Sequence, residues 1–211
     1  MKLGIVCGLA SERAALGDYP APVFVAGANA ERAYLGAKQL IDDGADMLVS
    51  FGVSGALSPD LSPGDIILPY KVFSPTGKAY DAKPFSSSET LSLPIIGSDI
   101  LVPTIAAKSA LFKQYGAAAV DMESHSVVRA AQERGKKFAA IRAIADTADQ
   151  SVPKSAHQAV AADGTIKTVR TLAALALRPW DLPSLMRLGR QSEVAHDALA
   201  QVAPRLLRKL E

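Results

Sequence analysis

Two apolar segments near the centre of the chain each run directly into an acidic side chain. Ala119–Ser124 reads AVDMES, and Phe138–Asp146 reads FAAIRAIAD. Both begin as the continuous apolar runs that are typical of buried strands. In an open α/β sheet, ligands bind at the carboxyl ends of the strands. The pattern therefore predicts that Glu123 and Asp146 face one crevice and act on a small polar molecule.

The remaining segments alternate between strand-like and helical patterns. We predict strands over Leu3–Cys7, Ala21–Ala26, Met47–Phe51, Asp65–Leu68, Leu93–Ile96, Ala117–Val120 and Phe138–Ala145. Helical spacing follows Asn29 and recurs over Pro103–Tyr115, Ser124–Arg134 and the C-terminal tail, whereas Pro69–Ser92 reads as an irregular surface loop. This alternation predicts one α/β domain over residues 1–211, a three-layer sandwich with a central mixed sheet and a helical C-terminal extension over 178–211.

Composition and charge exclude several functional classes. The net charge of +2, without a Lys/Arg run, argues against nucleic-acid binding. The single cysteine, Cys7, excludes an internal disulfide, and its place in a predicted strand indicates an inert core thiol in a reducing cytosol. We find neither a membrane-spanning segment nor a signal-peptide pattern, and therefore expect a cytoplasmic protein. The histidines lack a metal-ligand spacing, so no metal is assigned: His125, His157 and His196.

Several side chains at this sheet edge allow two interpretations. The glycines of Gly52–Gly55 can expose N–H groups to an anion, or simply form a tight turn. Glu123 can hold a ribose diol, or favour the start of a helix by charge–dipole attraction. Asp146 can be a desolvated general acid, or the cap of the turn that follows. Glu12 either faces the same edge or is a solvated helix residue.

Four segments together resemble the nucleoside phosphorylase superfamily, which includes the methylthioadenosine/S-adenosylhomocysteine nucleosidases. They are LGIVCGLASE, SFGVSGALSPDLSPGDIIL, AVDMES and IRAIAD, in that order within residues 1–150. Within the superfamily, the hopanoid-associated phosphorylases are most similar, through AVDMESH, AADGT at Ala161–Thr165 and LPSLMRLGR at Leu182–Arg190. The resemblance implies a nucleoside phosphorylase-like fold and an enzyme that removes adenine from an adenosine derivative, here adenosylhopane, to give phosphoribosylhopane.

The same resemblance implies a role for each matched residue. Asp146 would protonate purine N7, Glu123 would hold the ribose hydroxyls, and Met122 would pack on the sugar. Three residues would surround the adenine ring, namely Leu101, Val102 and, just before them, Asp99. Three more would line the pocket of the nucleophile: Gly8, Ser54 and Gly55. Glu12 matches the carboxylate that activates water in the hydrolytic relatives.

The nature of the nucleophile stays open at the level of sequence. The hopanoid-associated group implies phosphate as co-substrate with no further cofactor, whereas Glu12 favours water. No arginine is assigned to phosphate, and the candidates are Arg13 and Arg32. A hydrolytic nucleosidase and a non-catalytic nucleoside-binding protein are therefore alternatives. Because relatives form dimers, trimers or hexamers, the resemblance also implies a homo-oligomer.

The C-terminal region carries a basic, apolar pattern with two interpretations. Its basic residues are Lys167, Arg170, Arg178, Arg187 and Arg190, interleaved with leucines and Trp180. Such a surface can rest on an anionic bilayer, which would suit a lipid-linked nucleoside and place the protein at the inner membrane surface. A helix packed on the core with a solvated basic face is the alternative.

Overall fold

One mixed β-sheet organises this computed structural model, which describes residues 1–83, 85, 87–156, 161, 163–165 and 175–211. Nine strands in the described residues form the sheet: β1 Leu3–Cys7, β2 Val23–Val25, β3 Met47–Ala56, β4 Ile66–Ile67, β5 Lys71–Phe73, β6 Ala79–Asp81, β7 Ile95–Gly97, β8 Ala119–Asp121 and β9 Lys137–Asp146. The strand order is β2-β1-β3-β8-β7-β5-β6, with β9 pairing with β3 and β4. The predicted α/β class with a mixed central sheet is confirmed.

The long central strands decide where the acidic side chains emerge. β3 pairs in parallel with β1 on one side and with β9 on the other, and the β3–β9 register runs from Met47–Lys137 to Gly55–Asp146. β8 joins the end of β3 antiparallel, with Gly55 opposite Val120. The ends of β3, β8 and β9 therefore meet in one region of the sheet.

Helices cover both faces of this sheet. They are α1 Ala10–Ala15, α2 Ala30–Asp42, α3 Ile105–Tyr115, α4 Ser124–Glu133 and α5 Leu182–Arg208. The predicted cap at Asn29 is confirmed, because its side chain accepts the N–H of Arg32 and satisfies a donor at the start of α2. Thr104 caps α3 in the same way, and Gly116 ends that helix in the left-handed conformation with a φ of 63°.

Two large apolar cores and a smaller third cluster, around Leu57 and Ile96, result from this layering. One lies between the sheet and α2 and α4, and includes Ala37, Val127 and Ile144. The other lies between the sheet and α5, and includes Leu199 and Ile141. Cys7 is fully buried in the second core, and burial raises the pKa of its thiol, as expected for an inert core cysteine.

Two expectations about loops are wrong. The segment Pro69–Ser92 contains the antiparallel pair β5 and β6, whose mixed polar and apolar residues hide the strand pattern. Gly52–Gly55 is not a turn, since β3 continues through it while paired with β9. Its glycines serve close approach instead: a Cβ on Gly52 would lie 2.3 Å from Glu12 Oε1.

The described residues contain no helix with the length and hydropathy needed to cross a bilayer. Some of the residues singled out in the sequence lie outside the described part of the chain, namely His157, Lys167 and Arg170.

Candidate active site

Glu12 fastens the loop after β1 to the neighbouring strand β3. Its Oε2 accepts the backbone N–H groups of Gly8 and Leu9 at 2.7 and 2.8 Å, and its Oε1 accepts that of Val53 at 2.8 Å. The side chain is buried, and burial raises the pKa of the carboxyl against the opposing effects of Arg142 and the three N–H donors. Glu12 is therefore a fixed interior group rather than a solvated helix residue.

Arg142 is a functional candidate that sequence reasoning missed. It is fully buried on β9; its Nε lies 2.5 Å from Asp121 Oδ2, and its Nη2 donates to Ser50 Oγ at 2.5 Å and to Ser124 Oγ at 3.0 Å. A signal was available, since an arginine inside an otherwise apolar strand must find buried partners or a ligand. Its Nη1 has no hydrogen-bond partner within the described residues.

Glu123 lies beside the same guanidinium. Its Oε2 is 3.7 Å from Arg142 Nη2, and only 4 % of the residue is exposed. Burial raises the pKa of Glu123 to about 8, because desolvation together with the nearby Glu12 and Asp121 carboxylates outweighs the attraction of Arg142. The charge of Glu123 at neutral pH therefore depends on what binds next to it. No side-chain capping bond is made by Glu123 at the start of α4.

Asp146 lines a small cavity at the end of β9. The cavity has a volume of about 50 Å³, and its lining includes Gly55, Leu101, Val102, Met122 and Asp146. Burial raises the pKa of Asp146, while the ammonium of Lys108, which pairs with its carboxylate, opposes that rise. Five of the predicted site residues thus share one cavity.

Glu12, Asp121 and Glu123 form an acidic cluster around Arg142. Strand β8 connects this acidic cluster to the Asp146 cavity. Asp121 lines the cavity and also binds Arg142, which in turn lies next to Glu123. Met122, between Asp121 and Glu123 in the chain, lines the cavity as well. Asp121 therefore belongs both to the cluster around Arg142 and to the lining of the cavity that contains Asp146.

Gly8 lies beside the carboxyl groups of Glu12 and Glu123, and Ser54 lies on β3 next to Val53, which binds Glu12. Asp99 lies apart from these residues. A Cβ on Gly8 would lie 2.5 Å from Glu123 Oε1. Ser54 Oγ is buried and has no partner in the part of the chain that the structure describes. Asp99 lies outside the cavity, with two thirds of its side chain exposed, and its Oδ1 is 3.1 Å from His125 Nε2. Its contact with the base stays a prediction.

Comparison with known proteins gives the same fold. The chain is similar to futalosine hydrolase of Helicobacter pylori strain 26695, with 16% identity over 97% of this chain and 98% of that one and a TM-score of 0.67. It is also similar to an S-adenosylhomocysteine nucleosidase from Streptococcus pyogenes (16% identity, 96% and 97% covered, TM-score 0.64). A methylthioadenosine/S-adenosylhomocysteine nucleosidase from Colwellia psychrerythraea 34H, solved with adenine, gives 17% identity, 82% and 95% coverage and a TM-score of 0.64.

A family model extends the comparison to the site. The model of the phosphorylase superfamily matches residues 84–178, a segment that contains Glu123, Arg142 and Asp146. None of the curated proteins matches the chain by sequence. Over that segment the family match agrees with the resemblance to the phosphorylase superfamily that the sequence motifs predict, and the structural comparisons show the shared fold.

Proposed function

We propose that this protein is an enzyme that cleaves the N-glycosidic bond of an adenine nucleoside. The observation that carries the proposal is a pair of carboxyl groups, the buried Glu123 just after β8 and the largely buried Asp146 at the end of β9. The fold is shared with nucleosidases, and one of these was solved with adenine. The direct test is chromatographic detection of adenine released from adenosine and its 5′-substituted derivatives.

Asp146 is proposed as the acid for the departing base. When the C1′–N9 bond breaks, its electron pair moves onto the purine, and protonation at N7 keeps the base from leaving as an anion. A well-placed acid contributes roughly 10²–10⁴ in rate. Leu101, Val102 and Met122 supply apolar cavity walls on which a purine and its sugar can pack. Because the cavity is smaller than a purine, we expect the exposed Ile100 and Leu101 to move when the base enters.

Glu123 is proposed as the group that holds the ribose. A carboxyl can bond both hydroxyls of a vicinal diol through its two oxygens. Cleavage develops positive charge at the anomeric carbon, and an ionised Glu123 stabilises that charge. Because the pKa of Glu123 is raised to about 8, its carboxyl is readily protonated near neutral pH. The positive charge that develops on the sugar then favours the ionised form.

Phosphate is our first choice of nucleophile. Arg142 Nη1 is buried, lacks a partner within the described residues, and lies near Gly52, where a Cβ would be 2.6 Å away. A guanidinium binds phosphate oxygens well. Ser54 Oγ, also buried without a partner in that part of the chain, can donate to the same anion. Phosphorolysis then gives free base and a ribose 1-phosphate.

Water is the second candidate, favoured by Glu12. Its buried carboxyl lies next to Gly8 and near Glu123, and two acidic side chains disfavour a nearby phosphate. An ionised carboxyl can accept a further hydrogen bond from a water in addition to its three N–H donors. Omission of phosphate separates the two reactions: phosphorolysis stops, whereas hydrolysis continues and yields free ribose.

The group at the ribose 5′ carbon is proposed to be lipid-like, as in adenosylhopane. Apolar residues at the rim of the Asp146 cavity are exposed, with Ile100 at 73 % and Leu101 at 36 %. Ile105, on α3 close by in sequence, is 47 % exposed. A hydrophobic 5′ substituent or a second copy of this chain in a homo-oligomer can cover these residues. Preference in kcat/KM for adenosylhopane over adenosine supports the lipid substrate, and equal values contradict it.

We also propose contact with the inner membrane surface through the region before and within the start of α5. Exposed apolar residues there are Leu177, Trp180, Leu182 and Met186. Arg178 and Arg187 supply positive charge for anionic lipids. Flotation with anionic liposomes tests this, and Trp180→Ser should reduce binding more than Leu35→Ser, which removes an exposed leucine of α2. Recovery of the wild-type protein entirely in the soluble fraction contradicts membrane contact.

A further inference from the structure

Lys108 is a buried lysine whose side chain ends at Asp146. It lies on α3, its side chain is 1 % exposed, and its ammonium pairs with Asp146 Oδ2. The same Nζ donates to the backbone carbonyls of Thr147 at 2.7 Å and Gln150 at 2.9 Å. The three N–H bonds of the ammonium therefore each have an acceptor. Lys108 thus joins α3 to the end of β9 and to the loop that follows it.

We propose that Lys108 is a positioning residue for Asp146, and that the two side chains together supply the proton taken by the leaving base. This inference rests on the proposed function, since it concerns the same reaction. An ionised Asp146 has no proton to give, yet one is available on Nζ, a single hydrogen bond away. Asp146 can therefore act as an acid although it contacts a lysine, because Lys108 supplies the proton that Asp146 passes on.

Among the charged groups near Asp146 in the described residues, Lys108 is the cation that pairs with it. Asp121 faces the same cavity from β8, and is paired with Arg142, which lies on the same strand as Asp146. Asp149, on the loop after β9, is exposed and accepts a hydrogen bond from Thr147. Within the described residues, Lys108 is the one positive charge that acts on the pKa of Asp146, and burial acts in the opposite direction.

The proton transfer balances in two steps. As a base enters and excludes water, the neutral pair becomes more favourable than the ion pair, and a proton moves from Nζ to the Asp146 carboxylate. As the C1′–N9 bond breaks, its electron pair moves to the purine and N7 takes that proton. Asp146 is again a carboxylate, and Lys108 is a neutral amine that can still donate to the carbonyls of Thr147 and Gln150. Solvent returns the proton after the base leaves.

The test compares Lys108→Met and Lys108→Arg with wild type over about pH 5 to about 9, following kcat/KM for adenine release. In Lys108→Met the proton must come from the Asp146 carboxyl itself, so we expect about a 100-fold loss at alkaline pH and recovery at acidic pH. Lys108→Arg keeps the charge but does not release a proton, and we expect low activity at every pH. An unchanged pH profile in Lys108→Met, or wild-type activity in Lys108→Arg, overturns the proposal.

A second measurement is independent of turnover. Carbon-13 NMR titration of the Asp146 carboxyl should give a higher pKa in Lys108→Met than in wild type, because the lowering effect of the ammonium is lost. Identical titration overturns the pairing even if every variant is inactive. Adenine binding by calorimetry confirms that each variant is folded. If the wild-type protein cleaves nucleosides and the pH profile of Lys108→Met is unchanged, only the inference about Lys108 fails. If the wild-type protein cleaves no nucleoside, the proposed function fails, and the titration of Asp146 still tests the pairing.

Discussion

Glu12 and Glu123 converge on Gly8 from two different parts of the chain. A Cβ on Gly8 would lie 2.5 Å from Glu123 Oε1 and 3.4 Å from Glu12 Oε2. Two carboxyl groups this close to one backbone position favour protonation of one of them, and Arg142 offsets part of the repulsion. Position 8 therefore requires a glycine, because a side chain there would collide with the Glu123 carboxyl group.

Gly8→Ala should displace Glu123, because the new methyl group cannot lie 2.5 Å from a buried carboxyl oxygen. We expect at least about a tenfold loss in kcat/KM, the cost of a misplaced group that binds the sugar. Gly189→Ala is the control: it lies on α5 with no atom within 4 Å of the added Cβ, and should stabilise the helix by about 0.5–1 kcal/mol. Full activity in Gly8→Ala would contradict the placement of Glu123.

Asp146→Asn should abolish adenine release while changing ligand affinity by less than about tenfold, because the lost proton transfer belongs to the transition state. Asp149→Asn is the matched control, since Asp149 is exposed on the adjacent loop. The substitution also leaves the buried Lys108 without its counter-charge. Thermal unfolding of Asp146→Asn and of the double variant with Lys108→Met separates that effect from catalysis. Turnover comparable to wild type would rule out Asp146 as the acid.

Glu123→Gln should weaken both binding and turnover, since the ribose is held in the ground state and in the transition state. The amide can still hydrogen-bond a diol, but it cannot carry the negative charge that stabilises the anomeric carbon. Calorimetry with a nucleoside and steady-state kinetics give the two quantities separately. A variant with lower kcat and unchanged affinity would assign Glu123 to the chemical step alone.

The stability of the protein should fall as pH rises from about 5 to about 8. Burial raises the pKa of Glu12, Glu123 and Asp146, so the folded state holds these protons more tightly than the unfolded chain. This contribution is complete below the ordinary pKa of these groups and is lost as pH rises through the folded value, which for Glu123 is about 8. Urea unfolding at both ends of this range measures the difference.

Glu123→Gln should make that difference smaller, because one of the three titrating groups is removed. Glu193→Gln, an exposed glutamate of α5, serves as the control and should leave the difference unchanged. A pH dependence that is the same in Glu123→Gln and wild type would show that Glu123 titrates normally in the folded protein.

The sequence was sufficient to place Glu123 and Asp146 at the ends of two strands, because each follows an apolar run and a strand end fixes where the next side chain lies. Their roles stay predictions. It was insufficient for Arg142 and Lys108. The partners of Arg142 come from β3, β8 and α4, which only the folded sheet brings together. Helical spacing placed Lys108 on α3 without showing that it points inward. The β3 strand was cut short at Phe51 because its glycines resemble a turn, although the pairing with β9 continues to Gly55.

A crystal of the protein soaked with adenine and phosphate tests the central claim most directly. We predict that adenine lies between Leu101, Val102 and Met122, with N7 within hydrogen-bonding distance of Asp146, and that phosphate or a water lies among Gly8, Ser54, Glu123 and Arg142. Adenine bound elsewhere, with the Asp146 cavity unchanged and too small to admit the ring, would contradict the account.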